Sequence, residues 1–381
     1  MNAKLKRFDL QPYLSREPVT LALLTGLAIL LFAAVTGLSS LYHRQQASLA
    51  ERWSSRGAEE LKAKSYAAAV VDYRAALLYS RDDYTYQLGL AEALVGERRV
   101  DEAYAYLINL WDRRPENGMV NLELARIQAA RGLTDGALRY YHNAIYAIWP
   151  GDQELESRNV QLELIHLLLK IGDKAQADSE LIALAANLGS HPQDHTEAGE
   201  LFLQAQDNQR ALEQFRMALE GNQHPDVAAM AGAGNAAFAL GEYLAAEQYL
   251  RRAVGGGDKA CASQLKLAEL VLHMDPFRAH LKAAERRRII MDAFTAGGIR
   301  LKACSAPGPL SVPTAELTAL AQKWTELKPR IDNRTLSRNP DLGNNAMSLV
   351  FNVERETSGM CGGMTDTDNA LLLIANLHEG L

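Results

Sequence analysis

The longest unbroken pattern in the chain is apolar: no charged residue falls between Val19 and Tyr42, and the few polar side chains are scattered around the helix rather than gathered on one face. At about 1.5 Å per residue this run is long enough to cross a hydrocarbon core. A cleaved leader is the rival reading. Its apolar region is ordinarily shorter, roughly 7–15 residues, and ends in a small-x-small site of which Gly37-Leu38-Ser39 is a loose version. The pattern predicts a transmembrane helix over 19–42 that seats the chain in a lipid bilayer, preceded by a cytoplasmic segment, 1–18. Lys4, Lys6, Arg7 and Arg16 lie before the span and Arg44, Arg52 and Arg56 after it. That small excess favours a cytoplasmic N-terminus and an exported body, as in a bacterial inner-membrane protein facing the periplasm.

Past the span the apolar positions take a helical period, and the helices recur in a longer one. Segments opening at Ala50, Tyr84 and Gly118 are 34 residues apart, as are those at Arg158 and Pro192 after a six-residue insertion, Asp152 to Ser157; a sixth opens at Val227. The predicted units are 50–83, 84–117, 118–151, 158–191, 192–225 and 227–260. Small residues recur at the eighth, twentieth and twenty-seventh positions: Gly57, Ala69 and Ala76 in the first unit, Ala125, Ala137 and Ala144 in the third, Gly199, Ala211 and Ala218 in the fifth. The twenty-fourth position is bulky: Tyr73, Leu107, Tyr141, Leu181, Phe215 and Leu250. Each segment therefore reads as a helical hairpin with an apolar face that only a stacked neighbour can bury.

These residues resemble the tetratricopeptide repeat (TPR) family across Ala50 to Ala260. The resemblance implies an all-α solenoid of about six to seven helix-turn-helix repeats, wound as a right-handed superhelix. It also implies a concave groove lined by the first helix of each repeat. Carried over by register, the groove residues are Leu88, Glu92, Leu122, Arg126, Leu162, His166, Glu200, Leu203, Asn235 and Phe238, and the expected partner is a protein or peptide. Some members clamp a C-terminal carboxylate with Lys and Asn in the first repeat, where this chain has Ser54 and Ala58. A peptide held by apolar anchors and a few polar contacts fits better.

Residues 261–304 read as a degenerate repeat or capping helices. Ile290, Phe294, Gly297, Leu301 and Cys304 form one apolar stripe, expected to pack on the sixth repeat. Ser305 to Pro313 holds three prolines and breaks the helix, Thr314 is a candidate N-cap, and 305–381 forms a partly irregular C-terminal region. Within it Ser348 to Val353 is strand-like, and Thr365 or Asp366 caps a last helix through Leu371 to Leu377 that would cover the open end of the array.

Composition narrows the function. A net charge of −6 argues against a nucleic-acid partner. Cys304 and Cys361 either pair, if the body is exported, or leave Cys304 as a buried thiol. Arg286, Arg287 and Arg288, with Lys282, Arg300 and Lys302, read as a solvated helix face. His191 and His195 have a metal-like spacing that Pro192 interrupts, and Asp366 and Asp368 fit helix capping better than a calcium loop. No catalytic motif, cofactor site, metal site or small-molecule substrate is expected. The reading is a membrane-tethered scaffold at the extracytoplasmic face, in envelope biogenesis, secretion or assembly. Its alternatives are a C-terminal enzymatic unit delivered by the repeats, or a cytoplasm-facing adaptor.

Overall fold

The structure is a computed structural model that describes residues 17–220, 226–305, 314–359, 361 and 363–378. The basic residues before the span and most of the proline-rich break, 306–313, lie outside the described residues. Among the described residues there are eighteen α-helices and no strand. The chain divides into two compact units, Met1–Leu164 and Ile165–Leu381.

The first unit begins with α1 (Glu17–Lys62), a single helix of 46 residues, about 69 Å long at the standard rise. Thr20 to Gln45 are exposed on every side, Leu21, Phe32 and Leu38 by 66%, 72% and 73%. From Ala50, 1% exposed, the same helix packs on α2 (Tyr66–Tyr79). The long apolar helix and the first helix of the first hairpin are thus continuous through residues 43–49. Then follow α3 (Tyr84–Gly96), α4 (Val100–Arg113), α5 (Gly118–Ala130) and α6 (Thr134–Ile145). The insertion lengthens α7 (Gln153–Ile171) at its N-terminal end, where Ser157 donates to the Ile145 carbonyl.

The second unit continues with α8 (Lys174–Ala185), α9 (Pro192–Ala205), α10 (Asn208–Leu219), α11 (Val227–Ala239), α12 (Tyr243–Gly255) and α13 (Ala262–Met274). In both units one turn is repeated. Lys64, Arg98, Gly132, Gly172, Gln206 and Gly241, the fifteenth residue of each segment, all have positive φ, between 59° and 84°. The next amide donates back to the carbonyl five residues earlier, at 2.8–3.0 Å: Ser65 to Glu60, Arg99 to Leu94, Leu133 to Gln128, Asp173 to Leu168, Asp207 to Phe202, Glu242 to Ala237. This is the Schellman closure of a helix end, and it sets the angle at which the second helix returns. Three of the six positions carry side chains that the left-handed conformation disfavours by about 1–2 kcal/mol. Arg98→Gly and Gln206→Gly are each expected to stabilise by up to about 1 kcal/mol, the extra freedom of glycine in the unfolded chain offsetting part of the relief. Gly132→Val, at a site with open space around it, should destabilise by about 1–2 kcal/mol. Thermal melts of the three variants check the signs, and the opposite order would show that the turn conformation is misassigned.

The small and bulky positions interlock. A Cβ at Gly89 would lie 2.3 Å from the Tyr73 ring, and one at Gly57 3.0 Å from its other edge. Phe215 sits the same way between Gly199 and Gly232, at 2.8 and 2.2 Å. In these two places a ring from a second helix thus wedges between two first helices that come close only because they lack side chains there.

Beyond α13 lie α14 (Ala283–Ser305), α15 (Ala315–Leu327), α16 (Asn333–Arg338), α17 (Pro340–Ser358) and α18 (Asp366–Leu377). The stripe on α14 packs against α15 and α17 instead of the sixth repeat. The strand-like run 348–353 lies inside helix α17. Its β-branched content misleads, because Leu342, Ala346, Leu349, Val350 and Val353 are buried at helical spacing. Thr314 caps α15 by accepting from the Leu317 amide, and Thr365 and Asp368 form a capping box on α18. α18 packs on α13 and α17, and Leu377 reaches Gly241 at the last repeat turn. Cys304 and Cys361 form a disulfide, with Cα atoms 5.4 Å apart. Arg300 departs from the solvated-face reading. It is 7% exposed and donates to the carbonyls of Thr357, Cys361 and Gly363 at 2.9, 2.7 and 3.3 Å.

Candidate functional site

In the first unit the first helices α3, α5 and α7 bring four charged residues together around the ninth position of the repeat. Arg126, from α5, donates to both carboxylate oxygens of Glu163 in α7, at 2.9 and 2.7 Å, and to Glu123, one turn away on its own helix, at 2.7 Å. The two-pronged contact matches the planar guanidinium to the planar carboxylate. The Tyr141 hydroxyl, from the bulky position of α6, donates to Glu163 at 2.8 Å. The remaining carboxyl is Glu92, on α3.

These groups do not titrate alike. Burial works against ionisation at Glu163, yet the Arg126 fork and the Tyr141 hydroxyl hold its carboxyl below the usual range. Burial pushes Glu123 up against the pull of Arg126. Glu92 is pushed up to about 7, first by burial, then by the nearby Glu123 carboxylate, with Arg126 opposing. Among the described residues none hydrogen-bonds to Glu92. One guanidinium therefore serves three carboxyls, and Glu92 faces a charge deficit that a positive group would relieve.

The sequence-derived groove residues fall out as follows. Leu88 and Leu162 are half-buried, Arg126 is exposed, and Leu122 is only 6% exposed. Leu122 is thus a packing residue: the stacking of α5 on its neighbours covers it, and Leu122→Asp would test the fold rather than a surface. In the second unit His166 and Glu200 are exposed and Leu203 half-buried. Asn235 keeps a buried side-chain oxygen with no partner among the described residues. Phe238 is half-buried. Its ring stands edge-on to Tyr243, centroids 5.3 Å apart, and packs on the core formed by α13 to α18. His195 bonds Gln214 at 2.8 Å. Register alone missed Glu123 and Glu163. Both occupy the sixth position of a repeat segment, and Glu123 stands three residues before Arg126. That i, i+3 acid–base pair is the signal that could have found them.

Residues 90–153 and 196–261 match a tetratricopeptide repeat family model. No curated protein matches. Among solved structures the chain is similar to PilW, described as a widely conserved type IV pilus biogenesis factor, at 16% identity over 57% of this chain and 98% of that one, TM-score 0.39. It is also similar to PilF of Pseudomonas aeruginosa, at 15% identity over 59% and 99%, TM-score 0.40. YrrB, described as a TPR protein with an unusual peptide-binding site, gives 16% identity over 51% and 97%, TM-score 0.39. The family model is matched in two separate stretches and the same turn closes six successive hairpins, so residues 90–153 and 196–261 fold as tetratricopeptide repeats.

Proposed function

We propose that this protein is a membrane-tethered interaction scaffold, without catalytic activity, that holds a partner polypeptide on the first helices of its repeats. In the first unit the recognised feature is a basic side chain. The observation that carries this reading is Glu92, a half-buried carboxyl with no cation of its own beside an Arg126 already shared by Glu123 and Glu163. A lysine or arginine from a partner would complete the neutralisation, with Leu88 and Leu162 offering apolar contact nearby. Two further features support the wider reading. The helix α1 is long and apolar enough to cross a membrane and runs without a break into the first hairpin, so the repeats would start at the membrane surface. The Cys304–Cys361 disulfide suits an oxidising, extracytoplasmic compartment.

Photo-crosslinking in cells from position 88, followed by mass spectrometry, tests the binding surface. We expect a discrete adduct whose yield falls at least tenfold in Glu92→Lys. Because a cation favours the ionised carboxyl, capture by the purified protein should strengthen as pH rises from 6 to 8 and lose that dependence in Glu92→Gln. An adduct of equal yield in the charge-reversed variant would refute the site. A C-terminal alkaline phosphatase fusion, active only when exported, separates the extracytoplasmic topology from its reverse.

A further inference from the structure

The second unit holds an open trough of about 840 Å3 between α14 and α15. Its floor is the outer edge of two core rings: Phe294 and Trp324, 5% and 8% exposed, stack with centroids 4.0 Å apart and ring planes 13° from parallel. Gly298 lets α14 lie close against the indole, since a Cβ there would come within 2.9 Å of its nitrogen. Ile299 lines the trough while 67% exposed, so it offers an apolar side chain within reach of a ligand.

The polar lining is one-sided. The hydroxyls of Thr295, Ser305 and Thr325 each turn back to a carbonyl of their own helix at 2.8 Å, leaving no hydroxyl proton for a ligand. Among the described residues the charged lining is Lys302 and Lys328, with no carboxylate. The surrounding sequence shares this bias. Residues 282–338 carry eleven Lys and Arg against five Asp and Glu, in a chain whose net charge is −6. Size selects among apolar anions. A three-turn peptide helix, about 16 Å long and 10 Å across, fills roughly 1,300 Å3, more than the trough holds. Its volume lies instead within the range of small-molecule sites, about 300–1,000 Å3.

We propose that this trough binds a small amphipathic anion, an acyl chain ending in a carboxylate or phosphate, with the chain lying along Phe294, Trp324 and Ile299 and the head group between Lys302 and Lys328. This site is independent of the reading given to the first unit, and it runs against the sequence expectation of no small-molecule ligand.

Trp324 is itself the reporter. The full chain is placed in phosphatidylcholine nanodiscs and titrated with 11-bromoundecanoate, whose bromine quenches a tryptophan on contact. Saturable quenching is expected, and it should disappear in Trp324→Phe, which leaves the other three tryptophans in place. Lys302→Glu with Lys328→Glu, and separately the exposed Ile299→Glu, should each weaken binding at least tenfold. 11-Bromoundecanol should bind at least tenfold more weakly than the acid. Equal affinity for alcohol and acid, or quenching that rises linearly and ignores both variants, would overturn the proposal. Full displacement by millimolar inorganic phosphate alone would likewise remove the acyl requirement. Saturation that appears only when 306–313 are replaced by Gly and Ser would show that the chain's own connecting segment fills the trough, which also overturns it.

Discussion

Arg300→Met is expected to destabilise the second unit by about 3–5 kcal/mol, because it removes a buried guanidinium that donates to three backbone carbonyls and leaves those acceptors unpaired. The guanidinium is 7% exposed and gathers carbonyls from Thr357, Cys361 and Gly363, together with the Thr357 hydroxyl at 3.2 Å. Each carbonyl left without a donor adds about 1–3 kcal/mol unless water reaches it. Lysine should not rescue the loss, since a single ammonium cannot span the three positions that the fork reaches. The same stretch is tied by the Cys304–Cys361 disulfide, which closes a sequence separation of 57 residues and in the chain-entropy model contributes about 4 kcal/mol. Two ties on one segment couple, so the losses from Arg300→Met and from reduction should sum to less than their separate values. Trp324 is the only tryptophan after Trp149, so in a background with Trp53, Trp111 and Trp149 replaced by phenylalanine its fluorescence during urea unfolding reports this unit. A midpoint for Arg300→Met equal to that of the parent chain, oxidised and reduced alike, would remove the structural role assigned here.

How much of this was legible beforehand differs by element, for physical reasons. The repeats were readable because the constraint is local and periodic: where Tyr73 or Phe215 must enter between two helices, the opposing positions must be small, and the sequence records that need every 34 residues. The helix ends at Lys64, Arg98 and Gln206 were not visible as turns of the same kind. Their left-handed conformation is imposed by closure of the hairpin and not by a glycine. α17 was obscured because Val350 and Val353 favour strands taken alone, and only burial against α14 reveals the helical spacing of its apolar face. Arg300 shows the opposite failure. Amid Arg286, Arg287, Arg288 and Lys302 it looks like one more solvated cation, and its burial depends on carbonyls about 60 residues later that no local pattern announces. In the candidate site, register located Glu92 and Arg126 but left out Glu123 and Glu163, which turn a row of side chains into an electrostatic cluster. Leu122 was named by register and is covered by packing.

Raising the pH from 5 to 9 should weaken the second unit through one residue, Glu354. Its side chain is completely buried on α17, and neither carboxyl oxygen has a hydrogen-bond partner among the described residues. Burial, reinforced by the Asp368 carboxylate on α18 and opposed by Arg300 on α14, pushes the carboxyl up to about 8. An unfolded glutamate titrates near 4.3. Between those values the native state holds a proton that the unfolded chain has released, so stability falls as pH rises through the window. Below it both states are neutral at this site and the effect vanishes; above it the full difference is felt, on the order of 3–5 kcal/mol. Glu354→Gln keeps the shape and stays uncharged throughout. The variant should match the parent chain near pH 4.5 and exceed it by several kcal/mol at pH 9, with the gap opening progressively between. Taking the difference between the two chains cancels the titration of groups that do not interact with Glu354. Urea denaturation read at Trp324, with the other three tryptophans replaced by phenylalanine in both chains, supplies both curves. A gap that stays constant from pH 5 to 9 would mean that Glu354 holds the same charge in the folded and unfolded chain, and the buried neutral carboxyl would have to be abandoned.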